Sequence, residues 1–174
     1  DTETVTIRIG FRSVAIAGDI ITVNGEKIVF RGVNRHEWHP RTGRTLDEQT
    51  MRADLELMKR HGVNAIRTSH YPPNARFLDL CDEYGVWVLL ECDLETHGFE
   101  RGGWDGNPTN DDRWYDCLLN RIQRTVERDK NHPAIIGWSM GNESHCGEGI
   151  RLMNDWVKNR DPSRFTHYEG DDAH

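Results

Sequence analysis

The chain has 174 residues, of which 36% are hydrophobic and 29% are charged, so we expect one globular domain with a sizeable core. No stretch approaches the roughly 20 apolar residues of a membrane-spanning helix, so neither a membrane segment nor a membrane partner is expected. The formal net charge of −7 disfavours nucleic acid as a partner, because its phosphates select basic surfaces.

The first 34 residues have the pattern of β-strands only. The run VTIRIGFRSVAIAG alternates between apolar and polar residues and breaks at Gly18. Asn24-Gly25 then lies between two β-branched runs, which predicts a hairpin turn.

Helical patterns begin after Pro40. Thr45 with Glu48 three positions later predicts a capping box, and Gly62 ends the helix that follows. A second helix is predicted over residues 74–84, ended by Gly85, and a fourth over residues 148–158. The third is predicted from a spacing of four among its apolar residues, which are Trp114, Leu118, Ile122 and Val126.

Short apolar runs of strand type alternate with these helices: VNAIRTSH, VWVLLE, AIIGWSM and RFTHYEG. Such alternation indicates parallel strands joined by right-handed crossovers, either in a doubly wound sheet or in a β/α barrel. Neither GxGxxG nor GxxxxGK[ST] follows the first strand, which argues against a nucleotide-binding site. Residues 92–112 form a polar, glycine-rich loop of a length typical of functional loops.

Each predicted parallel strand ends in polar residues that can do chemistry. In both candidate folds these ends share one rim, where ligands bind. A histidine or a carboxylate at a single position is more often structural, and Glu91 in particular can pair with Arg31 or Arg67 inside the sheet. Five such clusters together favour a site; they occupy residues 34–37, 68–71, 91–97, 141–144 and 167–169.

Two of the clusters suggest specific chemistry. Glu95 and His97 offer a carboxylate and an imidazole to one divalent ion, with Glu143 as the candidate third ligand, although Glu95 and His97 are also readable as a solvated loop pair. A carboxylate-rich set suits Mg²⁺ or Mn²⁺ better than Zn²⁺. Glu143 follows Asn142 and lies near other carboxylates, which can raise the pKa of a carboxyl group and make it a proton donor.

Aromatic residues near the rim favour a sugar as the ligand. Trp38, Trp104 and Trp138 provide ring faces for the C–H faces of a pyranose, while the amide and histidine groups suit its hydroxyls. For Trp138 we favour a position in the core over one in the site.

The four cysteines are irregularly spaced and include no Cys-x-x-Cys pair, so a disulfide framework is not expected. Cys81 and Cys117 fall within predicted helices, where we expect small buried thiols. Free thiols are typical of a reducing compartment, which favours a cytoplasmic protein.

Five motifs, GVNRHEWHP, RTSHYP, ECDLETHGF, RDKNHPAIIGWSMGNES and YEG, resemble in order and spacing the catalytic barrel of family-two glycoside hydrolases. The resemblance implies an α/β fold, the first five strands and four helices of a (β/α)8 TIM barrel over residues 14–174, preceded by the end of a β-sandwich over residues 1–13. The HEWHP and LETHG elements are most similar to the β-galactosidase branch, which hydrolyses terminal β-D-galactosides such as lactose.

The resemblance also implies roles for individual residues. Glu143 matches the general acid/base, and Glu95, His97 and Glu143 match the ligands of an active-site Mg²⁺. Asn142 matches the residue that contacts the sugar 2-hydroxyl. His36 and His70 match the two histidines that hold the sugar hydroxyls and stabilise the transition state. A Na⁺ site, built with flanking domains, and a homo-oligomer are implied for the full-length enzyme.

The sequence departs from the family pattern in two places. SHCGEG after GNE differs from the usual continuation, which leaves the loop contacts there undefined. The nucleophilic carboxylate of the retaining mechanism lies on the seventh barrel strand of the family, whereas only the first five strands are predicted here. We therefore expect this chain to be an inactive fragment of the enzyme.

Two alternatives stay open at this point. A β-glucuronidase or β-mannosidase of the same family shares SHYP and GNE, but glucuronate needs a cationic pocket, and the sequence offers only Arg35 and Arg41 near the rim. A non-catalytic carbohydrate- or metal-binding module is the alternative from another class.

Overall fold

A small antiparallel sheet opens the computed structural model, which describes residues 2–6 and 8–170. Its strands are β1 (Val14–Ala17), β2 (Ile20–Val23) and β3 (Glu26–Lys27), in that order. Asn24 and Gly25 both have positive φ, 53° and 81°, so the predicted hairpin turn between β2 and β3 is confirmed. Residues 2–6 and 8–13 contain no strand, and their assignment to a preceding β-sandwich stays a prediction.

The second sheet has five parallel strands. They are β4 (Gly32–Arg35), β5 (Ala65–Thr68), β6 (Trp87–Glu91), β7 (Ile135–Ser139) and β8 (Phe165–His167). Their order in the sheet follows the chain without reversal. A doubly wound sheet reverses its strand order at a switch point, whereas a β/α barrel does not, so the order selects the barrel.

One helix crosses between each pair of successive strands: α1 (Glu48–Arg60), α2 (Ala75–Tyr84), α3 (Tyr115–Asp129) and α4 (Glu148–Arg160). Gly85 ends α2 in the left-handed conformation, as expected. The predicted loop over residues 92–112 contains short 3₁₀ helices. Within the described residues, none of the helices combines the length and apolar character that crossing a bilayer requires.

Two details of the helix predictions are wrong. Asp47, not Thr45, caps α1, because its Oδ1 accepts the Thr50 backbone N–H at 2.8 Å and its charge favours the helix N-terminus. Trp114 precedes α3 and is 46% exposed, so it is not part of the apolar face that Leu118 begins.

The core fills the space between the five-stranded sheet and its helices. Trp138 is fully buried there, which confirms its placement in the core. No disulfide joins the four cysteines. Cys81 is buried as expected, whereas Cys117 is exposed because it lies off the buried face of α3. Burial raises the pKa of the Cys92 thiol to about 12, so this group stays neutral.

An ion pair fastens α2 to the start of β7. Asp82 accepts from His132 Nδ1 at 2.7 Å and from the Ala134 backbone N–H at 2.8 Å. The Asp82 hydrogen bond raises the pKa of His132 although burial opposes it. Because the folded pKa is raised, the stabilisation is complete below the unfolded value near 6.5 and is lost as pH rises through the folded value.

We therefore predict that His132→Gln destabilises the full-length protein by roughly 2 kcal/mol at pH 6 and by much less at pH 9. Urea midpoints at the two pH values measure this difference. His61→Gln, at an exposed position after α1, is the matched control and is expected to change neither midpoint. An equal loss at both pH values would contradict the assignment of the charged pair.

Candidate active site

The polar ends of the five parallel strands lie together at one edge of the sheet, as predicted. The rings of His36 and His70 meet edge to face, with centroids 5.1 Å apart. The Glu143 backbone N–H donates to Glu169 Oε1 at 2.6 Å, which joins the ends of β7 and β8. Asp93 is the exception, because it turns outward to Arg121 on α3.

Glu95, His97 and Glu143 form a cluster whose three donor atoms all lie within 4.8 Å of one another. His97 Nδ1 is 2.6 Å from Glu143 Oε2, and both side chains are close to half exposed. The hydrogen bond that His97 Nε2 donates to Glu100 Oε2 is the main cause that raises the pKa of His97, and the charge of Glu143 adds to it. Two carboxylates this close repel each other, so the cluster favours a bound cation.

The backbone beyond β6 and β7 brings these side chains together. The Asn142 N–H donates to Leu94 O at 2.9 Å, and Glu95 and Asn142 form a parallel bridge. Gly141 has a φ of 155°, and a Cβ there would lie 2.7 Å from Leu94 O, so only glycine allows this close approach. Glu143 follows with a φ of 39° at the rim.

A buried set of hydrogen bonds supports the loops that carry the cluster. Asn107 donates through Nδ2 to Ser144 O at 2.7 Å and accepts from Thr96 Oγ1 at 2.7 Å. Thr109 Oγ1 donates to the same carbonyl, and Ser144 Oγ accepts the Thr96 N–H. Asn107, Thr109 and Ser144 are at most 1% exposed, so these bonds fix the spacing of the two loops without solvent competition.

The sequence did not single out Asn107 and Thr109 as site residues. Both lie in the glycine-rich loop, and their partners are 35 to 37 positions away in the chain. The only signal is the placement of Asn-Pro-Thr in a long loop, and this does not reveal that the polar groups become buried.

Trp104 stacks between two histidines of the rim. Its ring is 6.5 Å from that of His97 and 5.3 Å from that of His145, with interplanar angles of 13° and 17°. Trp38 is 65% exposed. Of the three tryptophans considered for the site, Trp104 is therefore the one in contact with the Glu95–His97–Glu143 cluster.

Glu91 lies fully buried beneath this rim, at the end of β6. Its Oε2 accepts from Arg67 Nε at 2.6 Å and from Ser139 Oγ at 2.7 Å, and its Oε1 is 2.7 Å from His70 Nδ1. Of the two arginines that the sequence left open, Arg67 is the partner, while Arg31 donates to Gly62 O.

His167 also faces this buried group, since its Nδ1 is 3.1 Å from Ser139 Oγ. Burial lowers the pKa of His167, and the positive charge of Arg67 lowers it further. His167 therefore holds a neutral ring at neutral pH on the inner side of β8.

A family model described as "Glycosyl hydrolases family 2, TIM barrel domain" matches residues 14–174. This chain belongs to that family. Among curated relatives, a β-galactosidase of Arthrobacter sp. (strain B7) is 59% identical over 169 residues, covering 97% of this chain and 17% of the relative. A β-galactosidase of Vibrio cholerae is 49% identical, covering 95% of this chain and 16% of the relative.

Two solved structures illustrate the fold that this chain shares with known hydrolases. A β-glucuronidase from an uncultured Clostridium sp. has a TM-score of 0.83 at 27% identity, covering 92% of this chain and 28% of that one. A β-galacturonidase from Eisenbergiella tayi, bound to galacturonate, has a TM-score of 0.78 at 31% identity, covering 93% of this chain and 29% of that one. The chain thus corresponds to one part of larger family 2 hydrolases.

Proposed function

We propose that this chain carries the acid/base half of a retaining β-galactosidase that hydrolyses terminal β-D-galactosides such as lactose. One observation carries the proposal: Glu143 stands at a parallel strand end beside Glu95 and His97, in a chain 59% identical to a β-galactosidase. The chain spans about one sixth of the length of its curated relatives, so the activity is proposed for the full-length protein.

Glu143 is the proposed proton donor and acceptor. It protonates the glycosidic oxygen as the anomeric carbon is attacked, and then takes a proton from the water that releases the sugar. The attacking carboxylate is expected outside these 174 residues, on the seventh strand of the barrel. Exposure of almost half of the Glu143 side chain suits a group that must reach a leaving group and water in turn.

The Glu95–His97–Glu143 cluster fits a divalent cation. Two carboxylates supply hard oxygen ligands beside one imidazole, and the carboxylates favour Mg²⁺, with Mn²⁺ as the alternative. A bound cation would offset the repulsion between the Glu95 and Glu143 carboxylates. It would also place a positive charge near the leaving group. The protein's own contribution is the hydrogen bonding of Asn107 and Thr109, which keeps the two ligand loops in register.

His36, His70 and Asn142 are the proposed sugar-binding groups, with the two histidines also stabilising the transition state. The contact between the His36 and His70 rings places two imidazoles on one side of the rim. Asn142 lies next to Glu143 and is held by Arg67, as expected of a group that meets the hydroxyl beside the anomeric carbon.

A glucuronide or galacturonide is the competing substrate, since several solved neighbours carry those names. The described residues argue against it, because the Arg35 side chain is 5% exposed and is neutralised by Glu37 and Asp54. Of the two arginines that the sequence offered for a cationic pocket, Arg41 then remains. A β-mannosidase is the other alternative within the family. A binding module without catalysis is the alternative from another class, and hydrolysis of any of the substrates would exclude it.

The experiment that tests the proposal is hydrolysis by the full-length protein of matched nitrophenyl galactoside, glucuronide and mannoside, with and without Mg²⁺. We expect the galactoside to be preferred by at least tenfold in kcat/KM. A preference for the glucuronide would replace the proposed substrate, and no turnover of any of the three would favour the binding module.

We predict that His97→Ala weakens Mg²⁺ binding by at least about tenfold, because one of three protein ligands is lost. Calorimetric titration of the metal-free full-length protein with Mg²⁺ measures the dissociation constant. His39→Ala, at a loop position outside the cluster, is the control and should leave the constant unchanged. Equal Mg²⁺ affinity in wild type and His97→Ala would remove His97 from the ligand set.

The cellular setting is proposed on narrower grounds. The buried thiols of Cys81 and Cys92, which form no disulfide, support a reducing compartment such as the cytoplasm. A Na⁺ site and a homo-oligomer stay predictions for the full-length protein.

A further inference from the structure

A fully buried carboxylate with several side-chain partners lies below the rim. Glu91 is fully buried, and its two carboxylate oxygens take hydrogen bonds from three side chains at the ends of β5 and β7, which are Arg67, His70 and Ser139. Its backbone N–H donates to Thr68 Oγ1 at 3.0 Å. None of the steps assigned to Glu143, Glu95 or His97 uses this group.

Two of these contacts lead to the proposed sugar-binding groups. His70 is bonded to Glu91 directly, through Nδ1. Asn142 is reached through Arg67, whose Nε donates to Glu91 and whose Nη2 donates to Asn142 Oδ1 at 2.8 Å. Glu91 is therefore one hydrogen bond away from His70 and two away from Asn142.

The charge of Glu91 determines which atoms these groups present. A carboxylate only accepts, so His70 Nδ1 must carry a hydrogen, and a ring with a single N–H then leaves Nε2 as an acceptor. Arg67 only donates, so Asn142 Oδ1 is occupied and the amide N–H₂ is left to donate. One buried carboxylate thus orders an acceptor and a donor at the rim.

We propose that Glu91 is a positioning residue that sets the hydrogen-bonding pattern of His70 and Asn142 toward two hydroxyls of the sugar. The inference rests on the proposed function, because it assumes that these two groups meet a sugar. It assigns to Glu91 a part of substrate specificity rather than a step of bond cleavage. A buried ion pair is weak evidence for stability alone, whereas a carboxylate with this set of partners specifies geometry.

The test uses Glu91→Gln in the full-length protein. Glutamine keeps the shape but turns an N–H₂ group toward donors, so either Arg67 or His70 loses its partner. Activity is measured as kcat/KM on a nitrophenyl β-galactoside and on its 2-, 3- and 4-deoxy analogues. We expect a loss of roughly tenfold to a hundredfold on the parent galactoside, and less than about threefold on the analogue that lacks an affected hydroxyl.

Asp129→Asn is the matched control. Asp129 is a buried carboxylate paired with an arginine, Arg128, but it lies at the far end of α3, away from the rim. Any loss that it causes should be the same for all four substrates. A loss in Glu91→Gln that is equally uniform would overturn the positioning role and leave a structural one.

Ser139→Ala provides a second, milder variant in case Glu91→Gln does not fold. Removing its hydroxyl removes one of the hydrogen bonds to Glu91 Oε2. We expect the same dependence on the substrate, with a smaller loss of kcat/KM of about threefold on the parent galactoside. A uniform change in Ser139→Ala would also count against the proposal. If wild type prefers another sugar, the deoxy analogues of that sugar are used, so failure of the proposed substrate stays distinct from failure of the role of Glu91.

Discussion

Glu143→Gln in the full-length protein is expected to slow hydrolysis of lactose by about 10²- to 10⁴-fold, the range that general acid catalysis contributes. Glutamine cannot transfer a proton to the glycosidic oxygen, and a sugar alkoxide leaves poorly without one. A substrate with an acidic phenol as leaving group needs little protonation, so we expect its bond cleavage to be slowed far less. The dependence of the loss on the leaving group is what identifies the acid.

Single-turnover rates on lactose and on a dinitrophenyl galactoside measure this difference. Glu148→Gln is the control, since Glu148 pairs with Arg151 on the surface of α4, a few residues beyond Glu143. It should change neither rate by more than about twofold. Full activity of Glu143→Gln on lactose would end the acid/base assignment, whatever the effect on the activated substrate.

Asp161→Ala is expected to destabilise the barrel by about 3–5 kcal/mol, the usual cost of breaking a buried pair. Asp161 Oδ2 accepts from Trp138 Nε1 at 2.9 Å and from Arg164 Nη1 at 2.6 Å. The substitution leaves both buried donors without this acceptor. Arg164 also donates to three backbone carbonyls before and within β7, so its displacement loosens the start of that strand.

Hydrogen exchange of the β7 amides and the urea midpoint of the full-length protein measure the effect. Burial pushes the pKa of Asp161 up, but hydrogen bonds from Ser163, Trp138 and Arg164 outweigh it and leave the pKa below 3.8. The stabilisation is therefore present above pH 3.8 and is lost as pH falls through the lower folded value, so the two proteins should converge in acid.

Asp155→Ala, at an exposed position of the neighbouring helix α4, is the control and should stay within about 0.5 kcal/mol of wild type. An Asp161→Ala protein as stable as wild type at neutral pH would show that Trp138 and Arg164 find other partners.

Much of the fold was predictable because its signals are local. The alternation of apolar runs with helical spacing gave each strand and helix of the barrel, and Gly85 and Asn24-Gly25 marked a helix end and a turn. One error arose where two residues competed for one role. Asp47 and Thr45 are both good caps, and the sequence does not say which of them takes the extended conformation before the helix.

The site was predictable only as far as strand ends reveal it. Glu95, His97 and Glu143 each follow a strand, and the parallel order brings them together. The supports beneath them are different, because Asn107 and Thr109 lie in a loop and act on a carbonyl far along the chain. Arg67 as the partner of Glu91 depends on the register of β5 against β6, which composition and periodicity leave open.

The contrast in exposure between Glu91 and the rim residues has a consequence for protein engineering. A library aimed at new sugar preference should vary exposed positions such as Trp38 and His145, which do not bond to Glu91, so that the hydrogen bonds from Arg67, His70 and Ser139 to Glu91 stay in place. Randomising Glu91 or Arg67 alone, or placing a large side chain at Ser139, should mostly yield variants of strongly reduced activity. Useful diversity at those three positions requires changing them as a set.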